Sequence, residues 1–317
     1  MITGIQKRYD PRLQAFLVII YICSLLGILS CQSDSNHQTQ SIGDIPTRII
    51  SASPNITEII AALGKADRLV AITDYCTYPP EIQYLPRIGG FVDMQFEKII
   101  KLKPDLVILL DSQKKIARHL HHLKIPVLMV SNNRVEEILD SIAIIGNQLQ
   151  AKNMAEYWIQ QIRQRFPANP PVLTPDEVKP KVLILIHREE HALKKMMAVG
   201  VDNYLNDIIE AAGGINLMKQ ASIQYPEVSI TSILASPPDI IIETRSNNNL
   251  TREEVMQIKS PWLDYSSIPA VRNNKIYVVG DPSFTIPSHR IIYTADTMKA
   301  IIQGDSLDPS ISIQVGS

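Results

Sequence analysis

At 317 residues the chain has room for two domains of ordinary size or one large one. Its formal net charge of -1 gives no general attraction for nucleic acid. With 45% hydrophobic and 20% charged residues, the composition is that of a globular body and not of a disordered chain.

The N-terminus stands apart from the rest. Lys7, Arg8 and Arg12 precede the apolar run AFLVIIYICSLLGIL from Ala15 to Leu29, and then come Ser30, Cys31 and a polar stretch. A basic start, an apolar middle and a small residue before the cut describe a secretory signal. The ending ILSC resembles the lipobox of bacterial lipoproteins, so residues 1–31 are expected to be a lipoprotein signal, with Cys31 carrying the lipid after cleavage. The alternative is an uncleaved membrane anchor, for which the run is short of the about 20 residues a span needs. Cleavage would leave Cys76 as the one thiol of the mature body, so no internal disulfide is expected. Polar residues 32–47 read as a tether that lifts the body off a membrane.

From there the pattern alternates. Strands are expected over 48–51 (RIIS), 69–72 (LVAI), 105–110 (DLVILL) and 126–130 (PVLMV), with helices over 56–63, 96–102 and 114–123 between them. Short strands alternating with helices imply a parallel sheet with helical crossovers. After the second strand comes AITDYCTYPP (71–80), and soon after it GGFVDMQFEKII (89–100). Tyrosines, prolines and a phenylalanine beside a glycine pair suit a rigid lip with rings pointing outward.

The rhythm changes at Arg134. Ile138, Ile142, Ile145 and Leu149 recur at helical spacing, interrupted only by an isolated Gly146, until the prolines of PANPP (167–171). A single long helix over 133–168 is the expectation. A second α/β unit then follows over 169–304, with strands at 182–186, 239–243 and 275–279, and helices at 204–212, 252–258 and 291–302. LKPDLVILL (102–110) and ASPPDIIIE (235–243) echo one another as Pro-Asp entering a buried strand. The inferred architecture is α/β: a first lobe over 48–132, the bridging helix, a second lobe over 169–304, a tail over 305–317, parallel sheets and a ligand cleft between the lobes.

Catalytic motifs are weak. His187-Arg-Glu-Glu190-His191 has the H-x-x-E-H order of inverted zinc peptidases, a zinc-dependent hydrolase alternative, but His187 directly ends an expected strand where that chemistry needs a helical face. RHLHH brings His119 and His122 to one helical face, which keeps a metal-ion receptor as another alternative. The chain has no G-x-x-x-x-G-K-[ST] and no G-x-S-x-G. Binding without chemistry is the expectation, with no cofactor.

RIISASPNITEII, DYCTYPPE, GGFVDMQFEKIIKLKPDLVI, AAGGIN, YPEVSITSILASPPDII and IPAVRNNKIYVV, in this order, resemble the substrate-binding proteins of bacterial ABC importers for cobalamin, ferric siderophores and haem. The resemblance covers roughly residues 48–304 and is nearest to the cobalamin-binding members. It implies two lobes bridged by a rigid helix that allows little closure, and a clamp of flat rings on the ligand. The positions matching that clamp are Tyr75, Phe91, Tyr225 and Phe284, with Phe91 and Tyr225 standing where a cobalamin binder has tryptophan. Flat side chains with few rotors do suit a broad apolar ring. Arg290, in IPSHR, is implied as a contact to a ligand amide or carboxylate or as a cap on the interdomain surface; His289 beside it is a candidate ligand for a haem or corrin metal or else a surface residue. The family docks on its permease through one glutamate per lobe. Glu97 matches the first, whereas Thr231 occupies the place of the second and Glu227 is the candidate substitute. The expected partners are thus cobalamin or another metal chelate, an ABC permease and a membrane reached through the lipid. The rival function is a surface scavenger that works without a permease.

Overall fold

The computed structural model describes residues 45–304 except 92, 167–178, 246 and 248, together with Ser312 and Ile313. The expected signal, Cys31 and nearly all of the tether lie outside these residues. The remainder, Ile45–Ser317, forms one compact unit. Its first residues are pinned down: the Thr47 N–H and hydroxyl and the Arg48 N–H all donate to the Asp105 carboxylate at 2.7–3.0 Å.

The first lobe consists of β1 (Ile49–Ser51), α1 (Pro54–Ala62), β2 (Leu69–Ala71), α2 (Phe96–Leu102), β3 (Leu106–Leu110), α3 (Lys114–His122) and β4 (Val127–Val130). The strands form a parallel sheet in the order β2-β1-β3-β4. Alternate residues of one strand serve opposite faces. Ile49 and Ile108 pack on one side, and Ile50, Val107 and Leu109 on the other against Ile99 of α2 and Leu120 of α3. Both faces are covered, which is why DLVILL reads as a continuous apolar run.

The segment expected as one long helix is a pair, α4 (Val135–Gln148) and α5 (Lys152–Arg163). The chain breaks at Gln150, which takes a left-handed conformation (φ 53), while the Ala151 N–H closes back onto the Gly146 carbonyl at 2.7 Å. No glycine, asparagine or proline marks this stop, and Leu149 keeps the apolar period through it. Gly146 matters for packing instead. A Cβ there would lie 2.5 Å from that of Ala155, so its absence lets α5 fold back closely on α4.

The second lobe contains β5 (Lys181–His187), β6 (Met196–Ala198), α6 (Tyr204–Ala211), β7 (Ile215–Asn216), β8 (Glu227–Val228), α7 (Ile230–Ala235), β9 (Ile240–Thr244), α8 (Arg252–Lys259), α9 (Pro269–Arg272), β10 (Ile276–Val279), α10 (Ile291–Gln303) and β11 (Ser312–Ile313). Its seven-stranded sheet runs β11-β10-β9-β5-β6-β8, with β7 beside β5. It is mixed where a parallel sheet was expected, because β6 pairs antiparallel with both β5 and β8. These short strands are cut from MMA and EV, which carry no apolar alternation long enough to read. The expected tail contributes β11, parallel to β10.

One apolar cluster crosses the whole body. It includes Ile49 and Ile108 of the first sheet, Ile142 and Ile145 of α4, Ile162 of α5, and Ile184, Ile242 and Val279 of the second sheet. The helix pair and both lobes therefore share a core.

Candidate functional site

Parallel strands release their loops at their C-terminal ends, and ligands in such sheets gather there, at the point where the strand order reverses. In the first sheet that point lies between β1 and β3. Gln113 ties the two diverging loops together, accepting from the Leu110 N–H and donating to the Ala52 carbonyl. The lip follows neighbouring β2. Its cysteine is buried, held between the hydroxyls of Thr73 (3.1 Å) and Thr57 (3.2 Å). Arg87 donates to the carbonyls of Thr73 and Cys76. With Cys76 turned inward, Tyr75 turns outward and is 68% exposed.

The glycine pair explains the placement of that ring. Gly89 has φ 88, and a Cβ on it would meet the Asp93 carbonyl oxygen at 2.5 Å. A Cβ on Gly90 would meet Tyr75 Cε2 at 3.0 Å and Asp93 Oδ1 at 2.7 Å. The tyrosine thus lies against bare backbone, with Phe91, 44% exposed, next in the chain. Gly90→Val is expected to displace Tyr75 and weaken ligand capture about tenfold while leaving the fold intact; titration beside a thermal melt separates the two effects.

The second lobe presents a ring of its own. Tyr225 is partly exposed on a turn that lies close over Gly200, where a Cβ would be 2.3 Å from the Ile223 oxygen. Buried Asn216 fixes this approach by donating to the carbonyls of Val199 and Gly200 at 3.1 Å. Burial raises the Tyr225 hydroxyl pKa, and a hydrogen bond with Asn203 partly offsets the shift. Neighbouring Tyr204 is pushed well above its ordinary value by burial, so it stays protonated and donates to the Phe284 carbonyl at 3.2 Å. A cavity of about 300 Å³ opens here, lined by Tyr204, Tyr225, Thr285 and the strand-end residues Ile186, Thr244 and Arg245. A smaller one of about 180 Å³ adjoins it at the lobe junction, reaching Asn132 and Asn133.

Two of the residues expected at the ligand, Phe284 and Arg290, are buried. Phe284 is fully buried in the shared core. Ser283 bonds the Asp281 side chain through its N–H, and the turn this makes points the next side chain inward. Arg290 is also buried and engaged: it grips Glu58 of α1 at 2.6 and 3.0 Å and lies 4.1 Å from the centre of the Tyr78 ring. Ser288 donates to the same carboxylate at 2.5 Å. Arg290 therefore joins the lobes, the second of the two roles its position implied. His289 packs edge-to-face with Trp158 of α5, with centroids 4.5 Å apart, and its Nδ1 has no partner among the described residues.

Burial, and secondarily the Arg290 charge, lower the His289 pKa from 6.5 to about 4. The folded protein thus holds this ring neutral where the unfolded chain would protonate it. Holding it neutral costs nothing above pH 6.5 and destabilises the fold progressively as pH falls towards about 4, by about 3 kcal/mol. His289→Gln should flatten that part of the urea-midpoint profile between pH 7 and pH 4.

The metal-ligating alternatives lose their geometry. His187 ends β5, and Glu190 and His191 sit in the turn beyond it, so H-x-x-E-H has no helical face. His119 packs on the Phe96 ring at 4.2 Å. Glu97 is exposed in the first turn of α2, and Glu227 and Thr231 are exposed on β8 and α7.

Two α/β lobes on a shared core, with exposed rings beside the cleft-forming turns, define a two-lobed binding protein. The sequence matches the periplasmic binding protein family over residues 49–282, and the chain belongs to it. It is therefore a substrate-binding protein of the ABC-importer type and not an enzyme. It is 25% identical over 260 residues to a vitamin B12-binding protein of Vibrio parahaemolyticus, a match covering 81% of this chain and 87% of the relative. It is 26% identical over 283 residues to an uncharacterised ABC transporter substrate-binding lipoprotein of Bacillus subtilis, covering 86% and 85%. Among solved structures, the periplasmic vitamin B12-binding protein BtuF of Vibrio cholerae aligns with a TM-score of 0.68 at 21% identity, over 82% of this chain and 97% of that one. The periplasmic haem-binding protein RhuT of Roseiflexus sp. RS-1 aligns with 0.64 at 23%, over 81% and 98%.

Proposed function

We propose that this protein captures cobalamin or a related corrinoid between its lobes and delivers it to an ABC permease, anchored to the membrane by a lipid on Cys31. What supports this reading most is that each lobe carries exposed rings, Tyr75 and Phe91 on the first and Tyr225 on the second, the last of these at a cavity of about 300 Å³. Flat side chains with few rotors bind a broad ring at low entropic cost. The relatives named as vitamin B12-binding proteins favour the corrinoid within the class. Haem and ferric siderophores are the second reading, because haem-binding neighbours align almost as well.

Titration with cobalamin, cobinamide, haem and a ferric siderophore, followed by visible absorbance, tests the ligand. Saturable cobalamin binding that weakens in Tyr75→Ala and Tyr225→Ala is expected; saturation by haem or siderophore alone would overturn the corrinoid. For delivery, Glu97→Gln should abolish uptake with binding intact, and retained uptake would favour a permease-free scavenger. The shared core limits closure, so small-angle scattering of free and loaded protein should nearly coincide.

A further inference from the structure

The smaller cavity carries an inference that rests on the ligand reading above but concerns the rim of the ligand, not its ring. Its volume of about 180 Å³ falls below the roughly 300–1,000 Å³ that holds a whole ligand, so it takes an arm. It adjoins the larger cavity through Tyr204, Tyr225 and Thr285, which line both.

Its other polar walls are Asn132, Asn133, Asn203 and Gln224. None of the residues that line it is charged. The adjacent cation, Arg134, is taken: its Nε and terminal nitrogen bind both oxygens of Asp207 at 2.6–2.9 Å, with Asp202 at 3.5 Å. Arg245 lines the larger cavity and not this one. Hydrogen-bonding capacity is nevertheless plentiful. The side-chain amides of Asn132 and Asn133 have no protein partner among the described residues. Gln224 uses its NH₂ on the Asp202 carbonyl, which leaves its oxygen to accept.

We infer that this junction pocket is a specificity subsite for an uncharged, amide-bearing arm of the ligand, and that it selects amides over carboxylates. A primary amide donates and accepts, matching the free groups of the asparagines and the Gln224 oxygen. A carboxylate in the same place would find no counter-ion in the lining and would face acceptors it cannot satisfy. Corrinoid rings carry primary amides on their rim, and hydrolysis converts each to an acid of nearly the same shape. Haem carries carboxylates.

The test is matched pairs. At pH 7, at least one positional isomer of cobalamin monocarboxylic acid should bind about tenfold or more weakly than cobalamin, about 1.4 kcal/mol. The gap should close as pH falls through the carboxyl range. Asn133→Lys, with Gln224→Lys as a second variant if the first fails to melt normally, should erase the penalty on that isomer by supplying the missing cation. Acids that all bind like the parent amide, or a penalty untouched by the lysine, would overturn the subsite. Haem against its diamide makes the outcome separable from that of the ring. If no corrinoid binds but the diamide outbinds haem, the corrinoid reading fails and the subsite stands. If neither pair binds in any form, both fall.

Discussion

Glu58→Ala is expected to destabilise the protein by about 3–5 kcal/mol and to loosen the lobes. Glu58 is 1% exposed and accepts from Arg290 at 2.6 and 3.0 Å and from Ser288. Removing it leaves a guanidinium enclosed beside Tyr78, His289 and the shared core with no counter-ion. Against a total stability of about 5–15 kcal/mol, this is a large share. The loss is specific to the uncompensated charge, so Glu58→Leu combined with Arg290→Met should recover most of the melting temperature. The same double variant also removes the cation from under Tyr78, so the lip should lose its tie to the second lobe. Restored stability with ligand affinity still reduced would give the pair a positioning role beyond holding the fold. Urea melts and titrations on the two single variants and the double variant separate these effects; a single variant that melts like wild type would exclude them.

Glu243→Ala should cost a comparable about 3–5 kcal/mol, confined to the second lobe. Glu243 is fully buried at the end of β9 and accepts from Arg188 Nε at 2.9 Å, Arg245 at 2.6 Å and Trp262 Nε1 at 2.5 Å. Arg188 itself is 4% exposed, and its other donors go to the carbonyls of Glu189, Ala192 and Ile258. Those carbonyls cannot neutralise it. Arg245 reaches the cavity wall and is partly exposed, so the variant should also free it to move. Hydrogen exchange should show faster opening of β5, β9 and α8, with β1 and β3 close to wild type. Uniform acceleration in both sheets would mean that the shared core transmits the loss.

Most strands and helices were legible because apolar period and local stops agree. Phe96–Leu102 was expected with the bounds it has, since Lys103-Pro104 ends it. DLVILL and VLILI declared themselves by continuous burial. The aromatic lip was legible too, and the turn closed by the Cys76 N–H on the Thr73 carbonyl accounts for it: Cys76 inward, Tyr75 outward. The break between α4 and α5 was not legible, because Gln150 adopts φ 53 only under the pull of the packed helices on either side. Nor was the burial of Phe284, which sits in a motif that resemblance assigns to a ligand. For Arg290 the sequence left two roles open, and its engagement with Glu58 selects the one that joins the lobes. The one available signal was Glu58 itself, a carboxylate amid the isoleucines of an apolar helix, which requires a cation from elsewhere in the chain.

By itself the sequence determined the α/β class, the order of the elements and the family, because these follow from local periodicity and from motifs read along the chain. The tertiary structure alone decided which side chains face the cleft, that a single core runs through both lobes, and that the junction pocket is uncharged. Those are properties of residues tens to hundreds of positions apart, such as Glu58 with Arg290 or Asn133 with Gln224, and no local pattern encodes such a meeting.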